Sequence, residues 1–339
     1  MAFRSFLHLG DNMCKCVFTT VQLKPKIYTF GGCKQIRNFN RFKGKTMTSF
    51  SKPSLVNDAS NKHSAHTISL WKSFTFTVMF SGTTFIAAII WEYKHVREKT
   101  YNVLRSYKQL RIHRTGWRRK MQKWWSSLPE GEKMFIPICF LNVLVYILWR
   151  IPAYRPTMYK YFSNSPASGN CWPMLLSTFS HYSLLHLITN MYVLHNFCPI
   201  AVTVLGREQF LAFYLTSGVV SSFSSHLYKA AIGIKDPSLG ASGALMGIFG
   251  FLCTQFPNMY LSIVFISALK FQSGTAIKAA MGIDMLGCLC RWKLFDHAAH
   301  LGGALFGIFW QVWGNANIWQ KREPIVLFLH KLCGPPKSH

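Results

Sequence analysis

Residues 239–256 read Leu-Gly-Ala-Ser-Gly-Ala-Leu-Met-Gly-Ile-Phe-Gly-Phe-Leu-Cys-Thr-Gln-Phe, an apolar run without a charged side chain. Within it Gly243, Gly247 and Gly250 recur at helical spacing. A stripe of small residues on one face lets a second helix approach closely. The run therefore predicts a membrane helix that packs tightly against a neighbouring helix.

Six more apolar runs surround this one. They cover residues 73–91, 134–151, 173–195, 209–228, 274–290 and 297–313. A bilayer core is crossed by about 20 mostly apolar residues, and half of this chain is hydrophobic whereas only 14% is charged. We predict an all-α polytopic membrane protein in which one extra N-terminal helix, 73–91, precedes a six-helix bundle in a core at 134–314. Residues 257–271 are predicted to form a loop that dips into the membrane interface, with a half-length helix as the alternative.

The formal charge of +27 is concentrated outside these runs, with eleven basic residues in 1–62 and eleven in 94–123. Because they do not form one face of a domain, we do not predict nucleic-acid binding. Residues 1–62 are rich in Arg, Lys, Ser and Thr, which predicts a disordered mitochondrial transit peptide, with an uncleaved basic tail as the alternative. Residues 92–133 are predicted to be a basic linker that lies on the membrane surface or in solvent, and 315–339 a C-terminal tail.

Two kinds of catalytic site are disfavoured by the residues themselves. No His-Glu-x-x-His motif is present, and the ten cysteines contain no Cys-x-x-Cys pair, so we predict no metal site. An aspartyl mechanism needs two facing carboxylates, yet only Asp284 lies well inside an apolar run.

A serine remains as the candidate nucleophile. Gly240 and Gly243 flank Ala241-Ser242. The two glycines allow the backbone to turn tightly and leave the Ser242 hydroxyl accessible near the start of a helix. Taken alone, Gly-x-Ser-Gly is equally a packing motif of small residues.

The last apolar run supplies a base. His300, Gly303 and Gly307 stand at i, i+3 and i+7 and share one helix face. If that face meets the Ser242 helix, imidazole and hydroxyl come within hydrogen-bonding distance, as general-base catalysis requires. His297, one turn earlier, is predicted to play a supporting or interfacial part, and it is the alternative base.

The run at 173–195 carries two polar residues, His186 and Asn190, at i and i+4. Polar groups at that depth indicate function or interhelical hydrogen bonds. Beside the backbone amide of Ser242, an imidazole and a carboxamide would form an oxyanion hole.

Together, His186-x-x-x-Asn190, Gly240-Ala-Ser-Gly243 and Ala299-His-Leu-Gly-Gly303, in this order on separate helices, resemble the rhomboid family. The resemblance implies a six-helix bundle and an intramembrane serine endopeptidase that uses a Ser-His dyad without a third acid and needs no metal or cofactor. It assigns Ser242 as nucleophile, His300 as base, and His186 and Asn190 as oxyanion donors.

The similarity is greater to the mitochondrial branch of the family, because of the extra helix and the stretch Phe295-Asp-His-Ala-Ala-His-Leu-Gly-Gly-Ala-Leu-Phe-Gly307. That branch implies an inner-membrane protease of single-pass membrane proteins, including a mitochondrial kinase and a phosphatase, with roles in quality control, mitophagy and apoptosis. Where many rhomboids have a tyrosine four residues after the serine, this chain has Met246. The pair Trp149-Arg150 is interpreted as structural.

Two other functions compete with this one. The first is a catalytically inactive rhomboid-like scaffold that binds membrane proteins, which intact Ser242 and His300 disfavour. The second is a transporter, which the absence of an internal repeat disfavours.

Overall fold

The computed structural model describes residues 56–106, 116–263 and 266–333. The helices of the described residues are α1 (Val56–Ser106), α2 (Trp117–Ser127), α3 (Glu130–Arg150), α4 (Arg155–Tyr161), α5 (Pro173–Leu176), α6 (Leu184–Leu205), α7 (Arg207–Ile232), α8 (Ser242–Gln255), α9 (Ser273–Leu289), α10 (His297–Phe309) and α11 (Glu323–Cys333). Short 3₁₀ turns cover Pro152–Tyr154 and Ser177–Phe179, and a π-helix, Trp310–Trp319, continues α10. Strands β1 (Tyr260–Ile263) and β2 (Ile266–Gln272) form a two-stranded sheet.

Three helices among the described residues are long and apolar enough to cross a membrane. They contain Leu70–Tyr101, Glu130–Arg150 and Leu184–Leu205, and α8 is a shorter apolar helix. The predicted helical membrane architecture is confirmed, whereas the count of one plus six spanning helices stays a prediction.

The compact body comprises the described residues within 63–261 and 271–333. At its centre α10 packs against α7, α8 and α9, and α6 packs against α3 and α8. Between these helices lie Phe210, Phe213, Phe251 and Trp310, each fully buried. Since lipid is as apolar as these side chains, close packing and not water exclusion holds such helices together.

The predicted N-terminal helix is part of the much longer α1, which docks on the core through its buried face. The ring of Phe85 stacks on that of Trp310 with centroids 4.3 Å apart. Nearer its C-terminal end, Glu92 accepts two hydrogen bonds from the guanidinium of Arg322, at 2.7 and 2.8 Å. A bidentate pair of this kind fixes geometry as well as charge.

The run predicted at 173–195 differs from the structure, where α6 begins only at Leu184. Ser180 and Ser183 have extended backbones that interrupt the helix. The intervening segment is held instead by Trp149, whose Nε1 donates to Ser180 Oγ at 2.8 Å, and by Arg150, which donates to the carbonyl of Tyr182. The Trp149-Arg150 pair therefore fixes the chain that leads into α6.

The prediction of a loop or a half-length helix at 257–271 is wrong, because strands β1 and β2 lie in this segment. The segment is rich in Ile, Val and Phe, which favour strands. It adds one two-stranded sheet to a fold predicted as all-α.

The regions predicted as linker and tail also contain helices. In the 92–133 segment α1 continues to Ser106 and α2 follows, with Trp117, Met121 and Trp124 exposed. The position of this segment on the membrane surface or in solvent stays a prediction. In 315–339 the π-helix and α11 extend the fold. Most of the predicted leader, residues 1–55, lies outside the described residues.

Candidate active site

A sharp backbone turn presents Ser242 at the first position of α8. Gly240 has φ +133°, and its N–H donates to the carbonyl of Ser177 at 2.9 Å. A Cβ at this position would lie 2.7 Å from Cε1 of His186. Only glycine fits both the left-handed backbone and the adjacent imidazole.

The helix that carries His300 touches α8 backbone to backbone. A Cβ added at Gly303 would lie 2.0 Å from the carbonyl oxygen of Gly243, and one at Gly307 would lie 2.0 Å from that of Gly247. This close approach brings His300 Nε2 to 2.9 Å from Ser242 Oγ. The distance lies within the range in which an imidazole takes a hydroxyl proton.

A carboxylate stands on the other side of the same imidazole. Asp284 of α9 places Oδ1 3.3 Å from His300 Nδ1. If Nδ1 carries the ring proton and donates it to Asp284, Nε2 is free to accept from Ser242. The family resemblance implied a dyad without a third acid, whereas here an acid lies within hydrogen-bonding distance of the base.

The predicted supporting residue His297 shares this carboxylate. Its Nδ1 lies 2.7 Å from Asp284 Oδ1, and the side chain is buried. Gly287 makes room for the ring, since a Cβ there would lie 2.4 Å from His297 Cγ and Cδ2. Because His300 and not His297 faces Ser242, the geometry favours His300 as the base.

The two predicted oxyanion donors differ in their surroundings. His186 lines a cavity of about 310 Å³ together with Ser242 and His300. Asn190 lies one turn further along α6, and its Nδ2 donates to the carbonyl of His186 at 2.7 Å. The structure thus brings His186 to the catalytic pair, whereas the amide of Asn190 hydrogen-bonds its own helix.

His181 was not singled out as a site residue, yet it supports the turn before Ser242. It is fully buried, and its Nε2 accepts from the N–H of Ala241 at 3.4 Å. Its ring also meets that of His186 edge to face, with centroids 4.9 Å apart. The sequence feature that could have identified His181 as a site residue is a histidine inside an otherwise apolar run.

Asp296 fixes the start of α10. Its carboxylate accepts from the N–H of Ala299 at 3.1 Å, from Lys229 Nζ at 3.0 Å and from Ser225 Oγ. Burial alone would raise the pKa of Asp296, but the charge of Lys229 and the hydrogen bonds from Ser225 and Lys229 hold that pKa below its ordinary value. The ionised cap orients the first turn of α10, which carries His297 and His300.

Comparison with known proteins decides the family. The model of the rhomboid domain matches residues 168–315, which contain every predicted site residue. Presenilin-associated rhomboid-like protein, mitochondrial, of Homo sapiens is 44% identical over 279 residues, 80% of this chain and 74% of the relative. The chain belongs to the rhomboid family.

Other rhomboid relatives extend this comparison. Presenilin-associated rhomboid-like protein A, mitochondrial, of Danio rerio is 41% identical over 288 residues, 78% of this chain and 75% of the relative. Rhomboid protein 1, mitochondrial, of Saccharomyces cerevisiae is 34% identical over 191 residues, 54% of each chain. Rhomboid membership and these relatives make the chain a mitochondrial membrane protein, consistent with the inner membrane, and support an intramembrane rhomboid-like protease role.

Proposed function

We propose that this rhomboid is an active intramembrane serine endopeptidase that hydrolyses peptide bonds in or near transmembrane helices. Ser242 is the nucleophile and His300 is its general base. The observation that carries the proposal is the 2.9 Å distance between Ser242 Oγ and His300 Nε2, in a cavity that both residues line. No metal or cofactor takes part in the proposed reaction.

In the first step His300 Nε2 takes the proton of Ser242 Oγ as that oxygen bonds to the substrate carbonyl carbon. Asp284 accepts a hydrogen bond from Nδ1–H, which holds the ring in the required tautomer and stabilises the imidazolium that forms. His300 then returns the proton to the departing amine, and an acyl-enzyme remains. Water hydrolyses the acyl-enzyme with His300 again acting as base.

The oxyanion of the tetrahedral intermediate needs hydrogen-bond donors near Ser242. The free backbone amide at the start of α8 is one, and the His186 imidazole in the same cavity is the second. Asn190 becomes the third if its amide leaves the His186 carbonyl when substrate binds. Gly240 and Gly243 permit the turn, and Gly303 permits the helix contact, on which this arrangement depends.

The proposed substrates are single-pass proteins of the mitochondrial inner membrane, among them a kinase and a phosphatase. Cleavage of such proteins would place the enzyme in mitochondrial quality control, mitophagy and apoptosis. Family membership and the mitochondrial relatives support this substrate class. The alternative, an inactive scaffold that binds membrane proteins, is disfavoured by the hydrogen bond between Ser242 and His300.

A cleavage assay with purified full-length chain in lipid vesicles and a tagged single-pass substrate tests the proposal. We expect product from wild type and none from Ser242→Ala or His300→Ala. Ser126→Ala and His330→Ala, at exposed positions far along the sequence from the site, serve as matched controls and should cleave like wild type. Binding of substrate without cleavage by wild type would favour the scaffold.

A further inference from the structure

Three metal-binding side chains converge behind the catalytic base. Asp284 Oδ1 lies 2.7 Å from His297 Nδ1 and 3.3 Å from His300 Nδ1, and one ligand atom of each residue lies within 4.8 Å of those of the other two. Asp284 and His297 are both buried, on helices α9 and α10 that pack together. The donors are therefore already gathered by the fold.

We propose that these three residues form an inhibitory binding site for a divalent transition metal such as Zn²⁺. Two imidazole nitrogens and one carboxylate oxygen are a donor set that Zn²⁺ uses in proteins, with a solvent molecule in the fourth position. At Zn–ligand distances of about 2.0–2.1 Å, tetrahedral ligand atoms stand roughly 3.3 Å apart. Of the two separations from Asp284 Oδ1, the one to His300 Nδ1 already has that value and the one to His297 Nδ1 is shorter, so small side-chain rotations suffice.

Access and protonation both permit this binding. His297 and His300 line the cavity of about 310 Å³ that opens at Ser242, so an ion entering the cavity reaches them. Coordination at His297 Nδ1 moves the ring proton to Nε2. That atom has no hydrogen-bond partner within the described ranges, so the change of tautomer breaks no other bond.

Coordination at His300 Nδ1 has a chemical consequence, which rests on the proposed function. The neutral imidazole keeps one proton, and with the metal on Nδ1 that proton resides on Nε2. Nε2 then donates to Ser242 Oγ and cannot accept its proton. The ion also takes the carboxylate of Asp284 away from the base. Bound metal therefore switches off the nucleophile without occupying the substrate position beside Ser242.

Direct binding is tested first with Co²⁺ and the full-length Ser242→Ala chain in lipid vesicles, which is independent of catalysis. We expect the visible absorption of four-coordinate Co²⁺, lost in Ser242→Ala/His297→Gln and in Ser242→Ala/Asp284→Asn. Ser242→Ala/His195→Gln, which alters a histidine paired with Glu132 elsewhere, should retain it. Absorption that survives loss of His297, or a thiolate-to-cobalt charge-transfer band from cysteine, would overturn the site.

Inhibition is then measured on wild type in buffers of defined free Zn²⁺, each variant normalised to its own metal-free rate. We expect reversible inhibition, relieved by EDTA, with a midpoint at least tenfold higher in His297→Gln and unchanged in His195→Gln. Equal midpoints in wild type and His297→Gln would overturn the proposal. If wild type cleaves no substrate, the proposed function fails, and the Co²⁺ spectra still decide whether the metal site exists.

Discussion

Gly303 of α10 lies directly against Gly243 of α8, so that a Cβ at position 303 would come within 2.0 Å of the Gly243 carbonyl oxygen. Neither backbone can yield without separating the two helices that carry Ser242 and His300. The 2.9 Å distance between the Ser242 and His300 side chains thus depends on position 303 having no Cβ.

The first prediction follows from this contact. Gly303→Ala should push α10 away from α8 and lower kcat by about 100-fold, because displacement of a catalytic group by about 1 Å has an effect of that order. Cleavage of the single-pass substrate measures it. Gly282→Ala in α9, where a Cβ would meet nothing within 4 Å, is the control and should keep its activity. Equal rates for the two variants would contradict the contact's importance.

Asp284 should matter for turnover more than for substrate binding. Asp284→Asn keeps the shape but no longer favours the His300 tautomer that accepts from Ser242, so we expect kcat to fall by about 10²-fold or more with KM little changed. Glu98→Gln, at an exposed carboxylate on α1, is the matched control. A rise in KM with unchanged kcat would show that Asp284 does not act through the base.

The ion pair of Lys229 and Asp296 should make the stability of the folded protein depend on pH. The pKa of Asp296 is lower in the folded state than its unfolded value of about 3.9. Its contribution to the free energy of unfolding is therefore fully present above the unfolded pKa and is lost as the pH falls through the folded pKa. Lys229→Met removes the main partner and leaves a buried carboxylate, which should cost several kcal/mol near neutral pH.

Thermal unfolding in lipid between about pH 3 and pH 7 measures this dependence. Wild type should lose stability toward the acid end, and Lys229→Met should lose less, because without Lys229 the buried Asp296 carboxylate is destabilising when ionised and its protonation no longer costs stability. The exposed Lys235→Met should follow wild type. Parallel curves for wild type and Lys229→Met would contradict the assigned role of the pair.

The docking of α1 should depend on Phe85. Phe85→Ala removes the stack on Trp310 and leaves a cavity, which should destabilise the protein by about 3 kcal/mol. Ile86→Ala, at the next residue, changes a side chain that is 49% exposed and should have a much smaller effect. Hydrogen exchange along α1 would rise in Phe85→Ala only; equal exchange in the two variants would refute the docking described.

The sequence predicted the Ser242 and His300 elements because each carries its own local pattern of glycine and a polar side chain on one helix face. It did not predict that Asp284 meets His300. These residues lie on different helices, and nothing in the spacing of a lone carboxylate tells which neighbour it will face. The same holds for His181, whose partner Ala241 is 60 residues away.

The predicted element boundaries were wrong where tertiary contacts override the hydropathy pattern. The apolar run at 173–195 looks continuous, but Trp149 donates a hydrogen bond to Ser180, and the helix is interrupted between there and Leu184, where α6 begins. At 257–271 a short apolar run fits loop, helix and strand alike, and backbone pairing between β1 and β2 decides the outcome. Hydropathy predicts where apolar segments lie, whereas packing decides where each helix begins.

The central claim is that His300 activates Ser242 as a nucleophile, and covalent labelling tests it most directly. The full-length wild type in lipid is treated with a fluorophosphonate, which reacts with activated serines, and the adduct is located by mass spectrometry. We predict a single adduct on Ser242, absent from Ser242→Ala and strongly reduced in His300→Ala. No adduct on wild type, an adduct on another serine, or equal labelling of wild type and His300→Ala would contradict the claim.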